Sequence, residues 1–127
     1  MTLKEAKLDI ISLKLVQKVV KETDSKVVIS SSWRILADDV SDFDFLDMPV
    51  IGFTESLWGI RGTEIQKWLD ENPVESYTII DDDSDMLESQ MDNFVKTYND
   101  YGFTVQNFEK AYEILMGKKY VYGRKNL

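Results

Sequence analysis

Apolar residues recur at helical spacing in three stretches of the chain. The first stripe covers residues 8–22 and predicts an amphipathic helix. A second helix is expected at about 62–70, where Asn72 and Pro73 end the pattern. A third is expected at 105–116, because Gly117 directly follows the last apolar residue of its stripe.

Short apolar runs between these stripes predict strands. The runs lie at residues 26–30, 50–53, 77–80 and 94–97. The acidic and aromatic stretch at 34–47 predicts a short helix and a loop. Because strands alternate with helices, the pattern predicts an α/β fold with right-handed crossovers and a mostly parallel sheet.

Composition limits the chemistry that this fold can carry. The chain has 127 residues, which fits one domain, expected at 1–117, and a basic tail at 118–127. It contains neither cysteine nor histidine, so disulfides, thiolate chemistry and imidazole ligands are excluded. Carboxylates, hydroxyls, lysine, arginine and a hard cation remain. No apolar stretch approaches the roughly 20 residues of a membrane span.

Acidic residues are concentrated in two clusters. One contains Asp38, Asp39, Asp42, Asp44 and Asp47, and is interpreted as a solvated face or a surface for a basic partner. The other follows the predicted strand at 77–80 and contains Asp81, Asp82, Asp83 and Asp85. Carboxylates crowded at a strand end repel one another unless a cation or hydrogen bonds offset the charge. This second cluster predicts either a Mg²⁺ site or a solvated turn in which Asp83 or Ser84 caps a helix.

Three serines follow the predicted strand at 26–30. Ser30, Ser31 and Ser32 provide hydroxyls and backbone N–H groups at the start of an apparent helix, which suits a phosphate or another oxyanion. The alternative is a turn with an N-cap. The net charge of −8 argues against broad binding along a nucleic-acid backbone.

Three segments together resemble the haloacid-dehalogenase-like (HAD) superfamily. They are residues 27–34 (VVISSSWR), 61–69 (RGTEIQKWL) and 79–86 (IIDDDSDM). The branch they resemble most is the small HAD domain associated with RNA-repair proteins, common in bacteria and phages and related to the 3′-phosphatase half of phage polynucleotide kinase. The resemblance implies a three-layer Rossmann-like core and a cytoplasmic protein of a bacterial or phage-infected cell.

The resemblance also implies roles for individual residues. The Ser30 hydroxyl would bind the phosphoryl group, assisted by the backbone of Ser31 and Ser32. Either Arg61 or Lys67 would be the cation that offsets phosphoryl charge. The resemblance further implies Mg²⁺ as the cofactor, held by a set of carboxylates: Asp81, Asp82 and Asp85. Asp82 would be the direct ligand and Asp85 a water-mediated one.

One motif of the superfamily is missing where it is expected. HAD phosphatases use an Asp-x-Asp at the end of a strand that precedes the serine strand. The early acid in an apolar setting is Asp9, and it has no second Asp two residues later. We expect one of three explanations: a natural pseudo-phosphatase, a first strand supplied by another chain, or a gene start placed too late.

Two function hypotheses follow. One is a Mg²⁺-dependent phosphomonoesterase that processes polynucleotide ends once the nucleophile is supplied. The other is a catalytically inactive HAD-like binding module, for instance a phage regulatory or counter-defence protein. The expected partner is a phosphate-bearing small molecule or a nucleic-acid end. Association with a membrane is not expected. A second copy or another chain is expected at the sheet edge left open by the missing strand.

Overall fold

The computed structural model describes residues 10–30, 37–57, 59–98 and 100–123. Their α-helices are α1 Ile10–Thr23, α2 Arg61–Glu71 and α3 Val105–Met116. Their strands are β1 Val27–Ile29, β2 Val50–Phe53, β3 Ile79–Asp81 and β4 Phe94–Lys96. Two 3₁₀ helices, Val40–Leu46 and Glu88–Asn93, precede β2 and β4. Among these helices, none is long and apolar enough to cross a bilayer.

The predicted α/β class and its parallel pairing are confirmed. β1 pairs with β2 and β3 pairs with β4, both in parallel. We predicted a mostly parallel sheet. Within the described residues, the parallel strands form two separate pairs. The pairs are separate because no strand of the described ranges lies hydrogen-bonded between them. The strand that would carry the nucleophile is expected to be missing from this chain, and residues 1–9, including Asp9, lie outside the described residues.

Alternating side chains place the β3–β4 pair between two helical layers. Ile80 and Val95 face the core cluster that α1 and α3 form with Phe108 and Ala111. Their strand neighbours Ile79 and Phe94 face the opposite way, against Ile65 of α2. Successive residues of a strand point to opposite faces, so the two strands carry apolar residues on both. This is the three-layer arrangement expected for a HAD-like core.

The same apolar cluster joins the two strand pairs. Val27 of β1 packs against it from one side and Ile80 of β3 from the other. Val19, Val95 and Ala111 are at most 1% exposed at its centre. Burying side chains of this kind stabilises a fold by about 1.5–3 kcal/mol for each larger residue. One core therefore supports both pairs.

The end of the described chain packs back onto this core. Tyr120 lies with its ring edge against Phe108 and Tyr112, at 4.9 Å between centroids in both cases. Lys118 and Lys119, the first residues of the predicted basic tail, are exposed. Arg124 and Lys125 lie outside the described residues. The segment after Gly117 is thus attached to the domain through Tyr120.

Candidate functional site

The acidic segment that follows β3 is organised around Asp81. Asp81 is the last residue of β3 and only 7% exposed. Its Oδ2 accepts a hydrogen bond from Nη1 of Arg61 at 2.6 Å, and its Oδ1 accepts the backbone N–H of Asp83 at 2.9 Å. Arg61 Nη1 also lies 3.5 Å from a carboxylate oxygen of Asp83. A buried carboxylate is therefore paired with a cation on one side and a backbone donor on the other.

The acids around Arg61 determine its protonation. Burial by itself lowers the pKa of the guanidinium, but the hydrogen bond to Asp81 and the charges of Asp81, Asp83 and Asp85 raise that pKa above its ordinary value. Charged groups facing an opposite charge favour their ionised form. Because a guanidinium stays protonated in proteins, Arg61 presents a permanent positive charge to these acids.

The first turn of α2 also points at this acidic segment. The backbone N–H of Arg61 donates to Oδ2 of Asp85 at 3.0 Å, and the N–H of Gly62 donates to the Asp85 carbonyl at 3.0 Å. The first N–H groups of a helix have no partner within the helix and carry a partial positive charge. Asp85 therefore fastens the positive end of α2 against the carboxylates.

Close packing fixes the distance between α2 and the acidic segment. A Cβ added at Gly62 would lie 2.6 Å from the backbone nitrogen of Leu87 and 2.8 Å from Oε1 of Gln90. Gln90 is fully buried, accepts from the Leu87 N–H at 3.0 Å and donates to the Gly62 carbonyl at 2.9 Å. A glycine is required here because only a residue without a side chain allows this approach.

A second cation reaches the segment from β4. Lys96 lies opposite Asp81 in the β3–β4 register. Its ammonium group donates a hydrogen bond to the backbone carbonyl of Asp82. The Thr97 N–H donates to the Asp81 carbonyl at 2.9 Å, which extends the pairing one residue beyond the strands. The carboxyl ends of β3 and β4 thus carry acids and a lysine side by side.

The carboxylates present fit a divalent cation. One oxygen from each of Asp81, Asp82 and Asp83 lies within 4.8 Å of the others. Asp82 and Asp83 are exposed, so water reaches the group. Carboxylate oxygens are the hard ligands that Mg²⁺ prefers, and Mg²⁺ commonly retains several waters. Four carboxylates, including Asp85, against the two cations Arg61 and Lys96 leave a local charge of −2.

The predicted metal residues are thus only partly brought together. Asp81 and Asp82 belong to the group of three carboxylates, and Asp83, which was not predicted as a ligand, is the third member. Asp85 instead accepts the Arg61 N–H at the start of α2. Its position is set by the helix because the carboxylate satisfies a donor that has no partner inside α2.

The two predicted cations of α2 are placed differently. Arg61 contacts Asp81, as described above. The Lys67 ammonium lies 2.8 Å from Glu71 and 3.1 Å from Glu55, and its side chain is 37% exposed. The hydrogen bonds to Glu71 and Glu55 raise the pKa of Lys67. Surface pairs of this kind contribute little to stability.

The predicted hydroxyl site follows the other strand pair. Ser30 comes directly after β1, while Ser31 and Ser32 lie outside the described residues. Thr54 comes directly after β2, and its N–H donates to the Ile29 carbonyl at 3.0 Å, so Thr54 lies beside Ser30 at the end of this pair. Among the described residues, the Thr54 hydroxyl is a buried polar group without a hydrogen-bond partner. Such a group costs roughly 1–3 kcal/mol, so it calls for an explanation.

Sequence reasoning missed Lys96 and Thr54 as members of these strand ends, and it missed Asp83 as a candidate ligand. Lys96 ends an apolar run, as Asp81 does, and pairing those two runs in register would have placed them together. Thr54 similarly ends the run that follows Pro49. Gln90 carried no signal, because its role depends on packing against Gly62, which is distant in sequence.

Comparisons with known proteins identify the family of this chain. Neither the curated proteins nor the solved structures gave a match to the chain. The chain does match a family described as the HAD domain in Swiss Army Knife RNA repair proteins, over residues 1–108. HAD domains are of the phosphohydrolase type and generally use Mg²⁺, and RNA repair indicates nucleic-acid or phosphate substrates. Because the match includes both predicted strand ends and most of the chain, this protein belongs to that family of HAD domains.

Proposed function

We propose that the chain is the phosphate- and Mg²⁺-binding part of a phosphomonoesterase that acts on nucleic-acid ends. The observation that carries this proposal is the Arg61–Asp81 pair, at 2.6 Å, beside two further carboxylates. Phosphoryl transfer depends mainly on positioning and on neutralising charge. The guanidinium of Arg61 and a Mg²⁺ ion held by the neighbouring carboxylates would position the phosphoryl group and neutralise its charge.

Each residue has a distinct role in this proposal. Asp82, Asp81 and Asp83 would hold Mg²⁺, which when bound offsets negative charge on the phosphoryl oxygens. Arg61 holds Asp81 in position and adds a second positive charge. The Ser30 hydroxyl binds phosphoryl oxygens, and Ser31 and Ser32 add backbone donors. Lys67 has no part, because Glu55 and Glu71 hold its ammonium group.

A terminal phosphate is the substrate group that this charge distribution favours. The net charge of −8 opposes binding along a polyanionic backbone. A terminal phosphate needs only one local site that contains a metal ion and an arginine. The family's association with RNA repair supports a nucleic-acid end over a phosphate-bearing metabolite.

In this proposal the nucleophilic Asp is supplied by an additional strand that pairs with the strands of this chain. Among the described residues, β1 and β3 each pair with a single neighbour. An unpaired strand edge is a template for another strand. We propose that a partner chain occupies this edge and supplies the Asp, because a second copy has the same sequence and lacks an Asp-x-Asp before β1. A chain that stays monomeric in light scattering at high concentration, and binds no partner, would contradict this step.

A binding module without catalysis is the second candidate. One observation favours it: both oxygens of Asp81 already accept hydrogen bonds, from Arg61 and from the Asp83 N–H. In that case the same residues bind a phosphate-bearing ligand without turnover.

Two measurements on three proteins separate these candidates. The wild type, Asp82→Asn and the control Asp42→Asn are each tested for Mg²⁺ binding by calorimetry and for phosphate release from a 3′-phosphorylated oligonucleotide. Asp42 belongs to the other acidic cluster, so its substitution should leave both properties unchanged. We expect Asp82→Asn to weaken Mg²⁺ binding at least about tenfold, equivalent to about 1.4 kcal/mol. Release that depends on Asp82 supports the enzyme. Mg²⁺ binding without release, also after a synthetic Asp-x-Asp strand peptide is added to supply the nucleophile, supports the module.

A wild type that binds no Mg²⁺ would overturn the proposed metal site. Equal weakening by Asp42→Asn and Asp82→Asn would also count against it, because the effect would then follow total charge rather than the end of β3.

A further inference from the structure

We infer that the ring of Tyr98 is the surface on which the terminal nucleobase of the substrate stacks. This inference rests on the proposed function, because it requires the terminal phosphate to bind at the end of β3. Tyr98 lies two residues beyond Lys96, the last residue of β4. Side chains two apart in extended backbone share a face, so the ring and the Lys96 ammonium lie on the same side.

Lys96 links this ring directly to the acidic segment. Its ammonium nitrogen lies 5.0 Å from the centroid of the Tyr98 ring and donates a hydrogen bond to the Asp82 carbonyl. The Lys96 ammonium group thus contacts both the Tyr98 ring and the backbone of the acidic segment. The base and the terminal phosphate of one nucleotide are separated by one sugar. A nucleotide whose phosphate contacts the end of β3 therefore brings its base to Tyr98.

The backbone around Tyr98 is held firmly although the ring is exposed. The Tyr98 carbonyl accepts the N–H groups of Tyr101 at 3.0 Å and Gly102 at 2.8 Å. Gly102 has φ 62°, a left-handed conformation that glycine adopts without strain. On the other side, the Asn107 side chain donates to the Lys96 carbonyl at 3.3 Å. The ring itself is outside the core, since Tyr98 is 59% exposed.

Electrostatics explain why an aromatic surface suits this protein. The strongly acidic chain gains little from a phosphate backbone, so affinity for a nucleic-acid end must come from the terminal phosphate and from stacking. Base–aromatic stacking tolerates any base and does not depend on phosphate charge. The Lys96 ammonium near the ring adds a cation beside a stacked base. We expect binding that depends only weakly on salt concentration.

Calorimetry with three probes, each with Mg²⁺, tests the inference. The probes are a 3′-phosphorylated dinucleotide, its counterpart with an abasic terminal residue, and inorganic phosphate. The wild type should bind the dinucleotide about tenfold more tightly than the abasic probe. Tyr98→Leu, which keeps apolar volume without an aromatic face, should reduce that preference below about twofold and leave phosphate binding unchanged. Tyr98→Trp should keep it.

Tyr101→Leu is the matched control, because Tyr101 lies in the same turn and is 73% exposed. It should retain the full preference for the base. A preference that survives in Tyr98→Leu, or that Tyr101→Leu removes equally, would overturn the assignment to Tyr98. Equal binding of the base-bearing and abasic probes by the wild type would overturn stacking and leave the proposed function intact. A wild type that binds none of the three probes would overturn both.

Discussion

Two clusters of acids with similar composition are used in different ways. In the cluster at 38–47, the side chains bind backbone N–H groups. Asp39 accepts from the Val40 N–H at 2.7 Å, and Asp42 accepts from those of Asp38 and Asp39 at 2.9 and 3.2 Å. These bonds cap the 3₁₀ helix Val40–Leu46, which buries Phe43 and Leu46 in the core. Asp39 and Asp42 of this cluster therefore stabilise local structure.

The cluster at 81–85 depends on positive charge from other elements. Arg61, the first turn of α2 and Lys96 all approach it, and they come from outside the cluster's own segment. Acids that cap a helix stabilise it where they are, whereas acids gathered at a strand end repel one another until a cation arrives. The comparison teaches that the contacts, rather than the number of acids, indicate which cluster is a candidate metal site.

Removing Arg61 is the strongest way to break this comparison. We expect Arg61→Met to destabilise the protein by about 3 kcal/mol, because it leaves the buried Asp81 carboxylate without its cation. Urea unfolding measures the change. Lys67→Met on the same helix is the matched control and should leave the unfolding midpoint unchanged, since Lys67 makes only surface pairs. Equal midpoints for both variants would show that Asp81 does not depend on Arg61.

Filling the contact between α2 and the acidic segment has the next largest effect. Gly62→Ala places a methyl group 2.6 Å from the Leu87 nitrogen, and we expect a loss of about 2 kcal/mol in the free energy of unfolding. Gly59→Ala is the control, because no atom lies within 4 Å of its added Cβ. Thermal unfolding monitored by circular dichroism compares the two. A Gly62 variant as stable as the Gly59 variant would mean that α2 is not held against residues 86–90.

Replacing one acid in each cluster should change stability in different directions, although the expected effects are the smallest of the three tests. Asp39→Ala removes a cap and should destabilise the protein by about 1 kcal/mol. Asp82→Asn, without metal, should leave stability unchanged or raise it slightly, because it relieves repulsion among Asp81, Asp82 and Asp83. Urea unfolding in the presence of a chelator measures both. Loss of stability in Asp82→Asn under these conditions would contradict the distinction between the clusters.

Local signals in the sequence were sufficient for much of the fold. The bounds predicted for α3 agree with the structure, because Thr104 accepts from the Asn107 N–H at one end and Gly117 takes a left-handed conformation, φ 71°, at the other. β2 also has its predicted bounds. The 3₁₀ helix Glu88–Asn93 was not predicted, since polar residues dominate it and the buried Gln90 holds it through long-range contacts.

The candidate site depended on information that spacing does not contain. The acids after β3 were predicted because an apolar run ends there. The choice between Arg61 and Lys67 stayed open because the spacing within the helix favoured Lys67 and the Arg-Gly-x-Glu-Ile pattern favoured Arg61. Which cation contacts Asp81 depends on how the start of α2 lies against the acidic segment, and spacing does not contain that information. The grouping of the strands into two pairs could not be predicted either, because an apolar run does not indicate which other run it pairs with.

The ring of Tyr120 has a practical consequence for the boundaries of this domain. The family match ends at residue 108, four residues into α3, but Ala111 is fully buried and Tyr120 covers Phe108. A fragment that ends at residue 108 would lack most of α3 and Tyr120, and the apolar surface that they cover would become exposed. Recombinant versions of related domains should therefore retain the residues corresponding to 109–120, or they will tend to aggregate.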